Sequence, residues 1–271
     1  MQKGLLILFW FLSSSYSIID LDLWEEFDSD TTYLAIKDQK MMKVGFVDPP
    51  RASGHPIFSW SDQYQAWDED LFSIAGIQVA LSSQTAYIRT SANKIKEKTG
   101  SGWTDSFDAY DLKIGKNDEI YFIDLVAHAS GNGFVVNEWV GGAALQLLGG
   151  AAIKVAVDAY GSPWIVDAHN TIQQMMGSSW GEIDGQATDI IIGDKNTPFI
   201  VGTTPTEGGK IIQKWDSVSN SWETLPGIGG VSLALDSEEN PYVVTEDHKV
   251  YRQKGLVYSL CPGKFNILIF N

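Results

Sequence analysis

Cysteine is nearly absent from this sequence: 271 residues contain one, Cys261. That excludes an intrachain disulfide framework and a Cys-rich zinc site. Bases are also few. The 19 Lys and Arg stand against 34 Asp and Glu, a formal charge of −15, so a basic surface for nucleic acid is excluded. Beyond the N-terminus no segment reaches the roughly 18 apolar residues of a membrane-spanning helix, and none sustains a helical period. There is no Asn-x-Ser/Thr acceptor, no P-loop and no His-Glu-x-x-His. The four histidines, His55, His128, His169 and His248, form no motif, and His169 and His248 read as turn residues.

Residues 1–17 combine Lys3, the apolar run Gly4–Leu12 and a small-residue stretch ending at Ser15-Tyr16-Ser17. This is the pattern of a secretory signal peptide. Its removal takes one base and no acid, leaving 18 against 34, a charge of −16. An exported chain without disulfides needs a large core of its own, and residues 18–271 are long enough to supply one as a single domain.

Ten tryptophans are present, and they are ordered. Trp24, Trp67, Trp103, Ala144, Trp180, Trp222 and Tyr258 are spaced 43, 36, 41, 36, 42 and 36 residues apart. Long and short units alternate, as in three copies of a two-unit module. In the short units Tyr87, Trp164 and Tyr242 are followed eight residues later by Ile95, Ile172 and Val250. Gly100, Gly177 and Gly255 follow at thirteen, and Trp103, Trp180 and Tyr258 at sixteen. The long units carry a glycine six residues before an aromatic: Gly54 and Trp60, Gly133 and Trp139, Gly209 and Trp215.

Each unit is made of short apolar runs separated by turn residues, as in Lys154–Val157, Asp158–Pro163 and Trp164–Val166. A sheet of about 39 residues cannot bury both faces alone, but a radial stack of such sheets can. The expectation is therefore an all-β, six-bladed β-propeller of three tandem two-blade modules. Blades are expected to start near 24, 67, 103, 144, 180 and 222. Residues 258–271 are expected to pair with the N-terminal blade and close the ring, the rival being a truncated seventh unit that starts at Tyr258.

Trp222-Glu223-Thr224-Leu225-Pro226-Gly227 resembles the W-x-x-(I/L)-P-G start of a tectonin repeat, and Trp180–Ile190 resembles it too. Asn170-Thr171-Ile172 and His248–Arg252 are similar to the tectonin g-x-I-y-r strand. The resemblance covers residues 24–258 and is weakest in the first unit. Gly208–Trp222 also resembles a kelch motif, although the units are shorter than kelch repeats. The tectonin resemblance implies a β-propeller and, for secreted members, a lectin for bacterial lipopolysaccharide or other surface glycans.

No catalytic set is legible, and no enzymatic activity is expected. The marker tryptophans are expected to pack between blades. Turn residues are the ligand candidates: Asp158 and Tyr160, with Asn196, Asn240 and Glu239 in equivalent turns. Tyr160 offers a ring on which a sugar could stack. Recurring acids in turns, including Asp118, Glu119, Asp194, Asp236 and Glu238, read first as backbone caps. No cofactor is expected. Calcium is the one metal left open, and it would need about six to eight converging oxygens that the spacing does not show. The high negative charge opposes attraction to phosphate-rich lipopolysaccharide. Two readings follow. One is a secreted glycan-binding lectin. The other is a structural or protein-interaction propeller of a secretory granule or cell surface. A hydrolase reading would require a carboxylate pair at the centre of the ring.

Overall fold

The computed structural model describes residues 24–70 and 74–253, and the backbone of 258–261 and 264–267. The expected signal peptide at 1–17 and the side chains of Tyr258 and Cys261 lie outside the described residues.

The first described element is β1 (Trp24–Asp28), and the antiparallel sheets that follow each run from the axis to the rim. Blade 1 is β2 (Thr31–Lys37), β3 (Lys40–Gly45), β4 (His55–Ser61) and β5 (Ala66–Glu69), with β6 (Ala75–Gly76) set against β4. Blade 2 is β7 (Gln78–Leu81), β8 (Ala86–Arg89), β9 (Lys94–Thr99) and β10 (Gly102–Asp108). Blade 3 is β11 (Asp111–Ile114), β12 (Ile120–Ala127), β13 (Phe134–Val140) and β14 (Ala143–Ala152). Blade 4 is β15 (Lys154–Val157), β16 (Pro163–Val166), β17 (Thr171–Met176) and β18 (Ser179–Gln186). Blade 5 is β19 (Asp189–Ile192), β20 (Pro198–Thr206), β21 (Gly209–Asp216) and β22 (Ser221–Gly230). Blade 6 is β23 (Ser232–Leu235), β24 (Pro241–Val244) and β25 (Val250–Gln253), completed at the rim by β1. The inner strands β2, β7, β11, β15, β19 and β23 touch in sequence around the axis, so the six blades form the ring of a β-propeller.

Two expectations are corrected. The marker positions do not start blades: Trp24, Trp67, Trp103, Ala144, Trp180 and Trp222 all lie in rim strands, the last strand of a blade. A repeat has a period but no origin, so its unit can be cut one strand out of phase with the sheets. Crossing residues set the true boundary. Ile153 and Val231 stand alone between a rim strand and the next inner strand, and their N–H groups already donate to Val166 and Val244 of the next blade. The ring is also not closed by the described part of 258–271. Glu25 pairs with Arg252 and Trp24 with Gln253, so β1 occupies the edge that a C-terminal strand would have used. The described part of that segment, β26 (Tyr258–Cys261) and β27 (Lys264–Ile267), forms a hairpin in which each strand pairs with the other.

Branched and small apolar residues on the inner strands hold the blades together. Leu34, Val79, Leu112, Val155, Ile190 and Leu233 take the same position in the six inner strands and are fully buried. Six apolar clusters follow the six joints between blades, from Tyr33, Val79 and Ile88 between blades 1 and 2 to Leu34, Val244 and Val250 between blades 6 and 1.

The marker tryptophans are part of these joints. Trp222 Nε1 donates to the Asp184 carbonyl of the preceding rim strand at 2.6 Å, and Trp24 Nε1 donates to the Pro226 carbonyl at 2.8 Å. Each indole sits on a bulge glycine, Gly185 or Gly227, at φ +107 and +103. A Cβ there would fall 2.6 and 3.1 Å from the ring. Trp103 Nε1 reaches Asp70 at 3.2 Å. Trp180 rests on Gly150, and its buried Nε1 has no hydrogen-bond partner among the described residues. The two-blade alternation is visible in register: Trp60 pairs with Trp67 and Trp215 with Trp222, as T-shaped contacts at 5.2 and 5.0 Å, and Trp139 pairs with Ala144.

Candidate functional site

The turns joining the inner strand to the second strand of each blade surround one mouth of the axial channel. Four of them share a five-residue plan. Gly115, Asp158, Gly193 and Asp236 open the turn; Asp118, Gly161, Asn196 and Glu239 occupy its left-handed position. Where the opening residue is aspartate, it caps its own turn. Asp158 Oδ1 accepts from the N–H groups of Tyr160 and Ser162 at 2.9 and 2.8 Å, and Asp236 Oδ1 from Glu238 and Asn240 at 2.9 Å each. The caps cancel N–H groups that the tight turn leaves without a backbone acceptor.

The left-handed residue reaches back to the preceding blade. Asp118 accepts from Ser83 N–H at 2.8 Å, Asn196 Oδ1 from Ala159 N–H at 3.0 Å, and Glu239 Oε1 from Lys195 N–H at 2.6 Å. Asp118 also pairs with Lys37 at 2.7 Å. Burial works against ionising Asp118, but its bonds from Lys37 and Ser83 outweigh that and hold its pKa low. Of the five residues singled out from sequence, four therefore have structural partners. Asp158 is 2% exposed, Asn240 donates through Nδ2 to Asp236, and Asn196 and Glu239 tie turns together. Tyr160 alone projects, 81% exposed. The other turns have Gln84, Asn117, Lys195 and Glu238 near that place, so the mouth carries no repeated aromatic platform.

Inside the channel lies a set of residues that the sequence reading did not single out. Tyr33, Gln78, Asp111, Lys154, Asp189 and Ser232 are register equivalents, one per inner strand. Gln78 Nε2 donates to Asp111 at 2.7 Å, Asp111 Oδ2 accepts from Val155 N–H at 3.0 Å, and Lys154 lies 3.8 Å from Asp189. Ser232, 6% exposed, has a buried Oγ with no hydrogen-bond partner among the described residues, so the chain of contacts is open there. Two residues further along β11, Lys113 crosses the channel and donates to the Tyr33 hydroxyl at 2.8 Å. Burial alone lowers the pKa of each ammonium. For Lys113, Tyr33, Asp189 and Asp111 outweigh it, and for Lys154, Asp189 and Asp111 do, so both are raised. Asp111 and Asp189 are thus engaged with other groups rather than with each other. Among the described residues no group of three or more His, Cys, Asp or Glu could hold a metal ion. Aligning the inner strands across the units would have exposed this column: its members are the first residues of five of them and the third residue of β2.

The rim carries a third feature. Every rim strand but one bears acids: Glu25 and Glu26 in β1, Asp68 and Glu69 in β5, Asp105 and Asp108 in β10, Glu182 and Asp184 in β18, Glu223 in β22. β14 has none, and residues 139–153 contain no charge at all. Val140, Leu145 and Leu148 are exposed there, Leu148 to 77%, and β14 pairs only with β13.

No protein-family model matches the chain, and no curated protein matches it, so the tectonin resemblance stands on its motif residues alone. Solved structures do match. A gluconolactonase from Xanthomonas campestris is similar at TM-score 0.60 and 11% identity, over 85% of this chain and 89% of that one. YCF48 bound to a D1 peptide is similar at 0.56 and 12%, over 88% and 81%. The WD40 propeller domain of Doa1 is similar at 0.53 and 11%, over 83% and 93%. At such identities the likeness establishes the propeller fold. No helix among the described residues is long and apolar enough to cross a membrane.

Proposed function

We propose that this chain is an exported, non-catalytic recognition propeller that docks a protein partner along the free edge of β14. The carrying observation is the uncharged, exposed rim of blade 3 on a chain of net charge −15. Rim strands ordinarily discourage pairing with charge, as the acids of the other five do here. An exposed apolar edge marks an interaction surface. Its occupant is an extended apolar segment of the partner, adding to β14 through backbone hydrogen bonds and seating side chains against Leu145 and Leu148. That a propeller of this shape, YCF48, has been solved with a peptide bound supports the reading by analogy.

A photo-crosslinking residue in place of Leu145 tests it in the medium of the cells that export the protein. The expected result is one defined protein adduct, unaffected by free mono- and oligosaccharides. The adduct is lost when Leu148→Glu is added to a protein that still unfolds cooperatively. An adduct only to a second copy of the chain, or one displaced by sugar, contradicts the reading.

A lectin is the second reading, favoured by the exposed ring of Tyr160. It is supported if a glycan array gives hits that Tyr160→Ala removes.

A further inference from the structure

We infer that the axial funnel is a carboxylate-binding site whose floor is formed by Lys113 and Tyr33. A cavity of about 110 Å³ opens among the inner turns and descends to these two side chains. Space for it exists because the six equivalent positions that include Lys113 are otherwise small or purely apolar: Ala35, Ala80, Ala156, Ile191 and Ala234. Lys113 is the one polar side chain in that column, and it reaches over the axis instead of lining the wall.

The floor consists of donors. An ammonium has three N–H groups. One of those on Lys113 goes to the Tyr33 hydroxyl, and among the described residues no carboxylate lies within ion-pair distance of it. The Tyr33 oxygen already accepts from Lys113 at 2.8 Å and from Gln78 at 3.4 Å, and among the described residues its own O–H proton has no acceptor. Both groups therefore need an acceptor from outside the protein, and a carboxylate presents two oxygens that accept strongly from such donors. At the floor of the channel charge is balanced, Lys113 and Lys154 against Asp111 and Asp189, so the attraction for an anion comes from the unfilled N–H and O–H donors rather than from a surplus of positive charge. Leaving enclosed donors without acceptors is costly, and a bound carboxylate offsets that cost. The volume admits a short chain: a free small monocarboxylate or the carboxylate of a partner's side chain or C-terminus. This inference does not depend on the docking edge of blade 3.

Calorimetric titration with butyrate and with butyramide, its neutral counterpart, tests the site on the intact protein. Butyrate is expected to saturate, with butyramide at least about tenfold weaker. Lys113→Met should abolish butyrate binding, Tyr33→Phe should weaken it severalfold, and Lys210→Met, on blade 5, should leave it unchanged. A tripeptide ending in a free carboxylate, compared with its C-terminal amide, separates the two sources. Tighter binding of the free peptide than of butyrate indicates a partner-borne group; butyrate binding alone indicates a free acid. The inference is overturned if wild-type protein saturates with none of these carboxylates, or binds butyramide as tightly as butyrate. It is also overturned if Lys113→Met, shown to unfold cooperatively, binds butyrate like wild type.

Discussion

The carboxylate of Glu239, in blade 6, stands where the side chain of an aspartate at Gly193, in blade 5, would stand. Its Oε1 accepts from Lys195 N–H at 2.6 Å and from Thr197 N–H at 3.4 Å. These are the two positions that Asp158 and Asp236 cap within their own turns. A Cβ on Gly193 would collide with Glu239 Oε1, so the cis and the trans cap exclude each other. Glu239→Ala leaves two turn amides without their acceptor and is expected to cost about 1–2 kcal/mol. Gly193→Asp alone is expected to destabilise by crowding. The double variant, with the cap restored in cis, is expected to recover most of the loss. Urea unfolding of the four proteins measures the coupling.

The rim tryptophans give a second comparison. Trp222→Phe and Trp24→Phe keep a ring but remove a hydrogen bond to a carbonyl of the preceding blade. Each is expected to cost about 1 kcal/mol in urea unfolding beyond the loss of ring area. Trp180 makes the same contact without a partner for its buried Nε1, so Trp180→Phe removes an unsatisfied donor. It is expected to cost least of the three.

At the joint of blades 1 and 6, Phe46 stacks on His248 at 4.0 Å and on His55 at 5.6 Å. Burial, and then the neighbouring His248, lower the His55 pKa from its ordinary 6.5. A histidine with a lowered folded-state pKa binds its proton more readily in the unfolded chain. Its contribution is therefore complete above about pH 6.5 and is lost as the pH falls through the folded value. Unfolding midpoints at pH 7.5 and 5.5 should fall further in the wild type than in His55→Gln.

Blade 3 gives a prediction that needs no partner. Leu145→Glu and Leu148→Glu place charges on an exposed strand, and stability should change by no more than about 0.5 kcal/mol each. Solubility at high concentration should rise, because the uncharged edge is removed. Light scattering alongside unfolding separates the two effects.

The repeat arithmetic was enough to find the number of blades, because the tryptophans recur at contacts made once per blade. It could not find the phase. Trp24 opens the chain's first unit yet belongs to the last blade, and only pairing with Arg252 and Gln253 shows it. Asp158 was legible as a cap because its partners lie two and four residues away. Asn196 and Glu239 looked similar, but their left-handed backbone turns the side chains toward the preceding blade, some forty residues back. The channel was missed for a related reason. Asp111, Lys154 and Asp189 look like ordinary ends of strands in each unit, and become a ring of buried charge only when six units are superposed around an axis.

The funnel and the edge of blade 3 both presuppose a ring closed by the N-terminal strand. Hydrogen exchange read by mass spectrometry on the whole protein tests that closure directly. The account predicts that amides in 24–28 exchange as slowly as those of 250–253, and more slowly than those of 258–267. Free exchange of 24–28, with 258–267 protected together with 250–253, would contradict it.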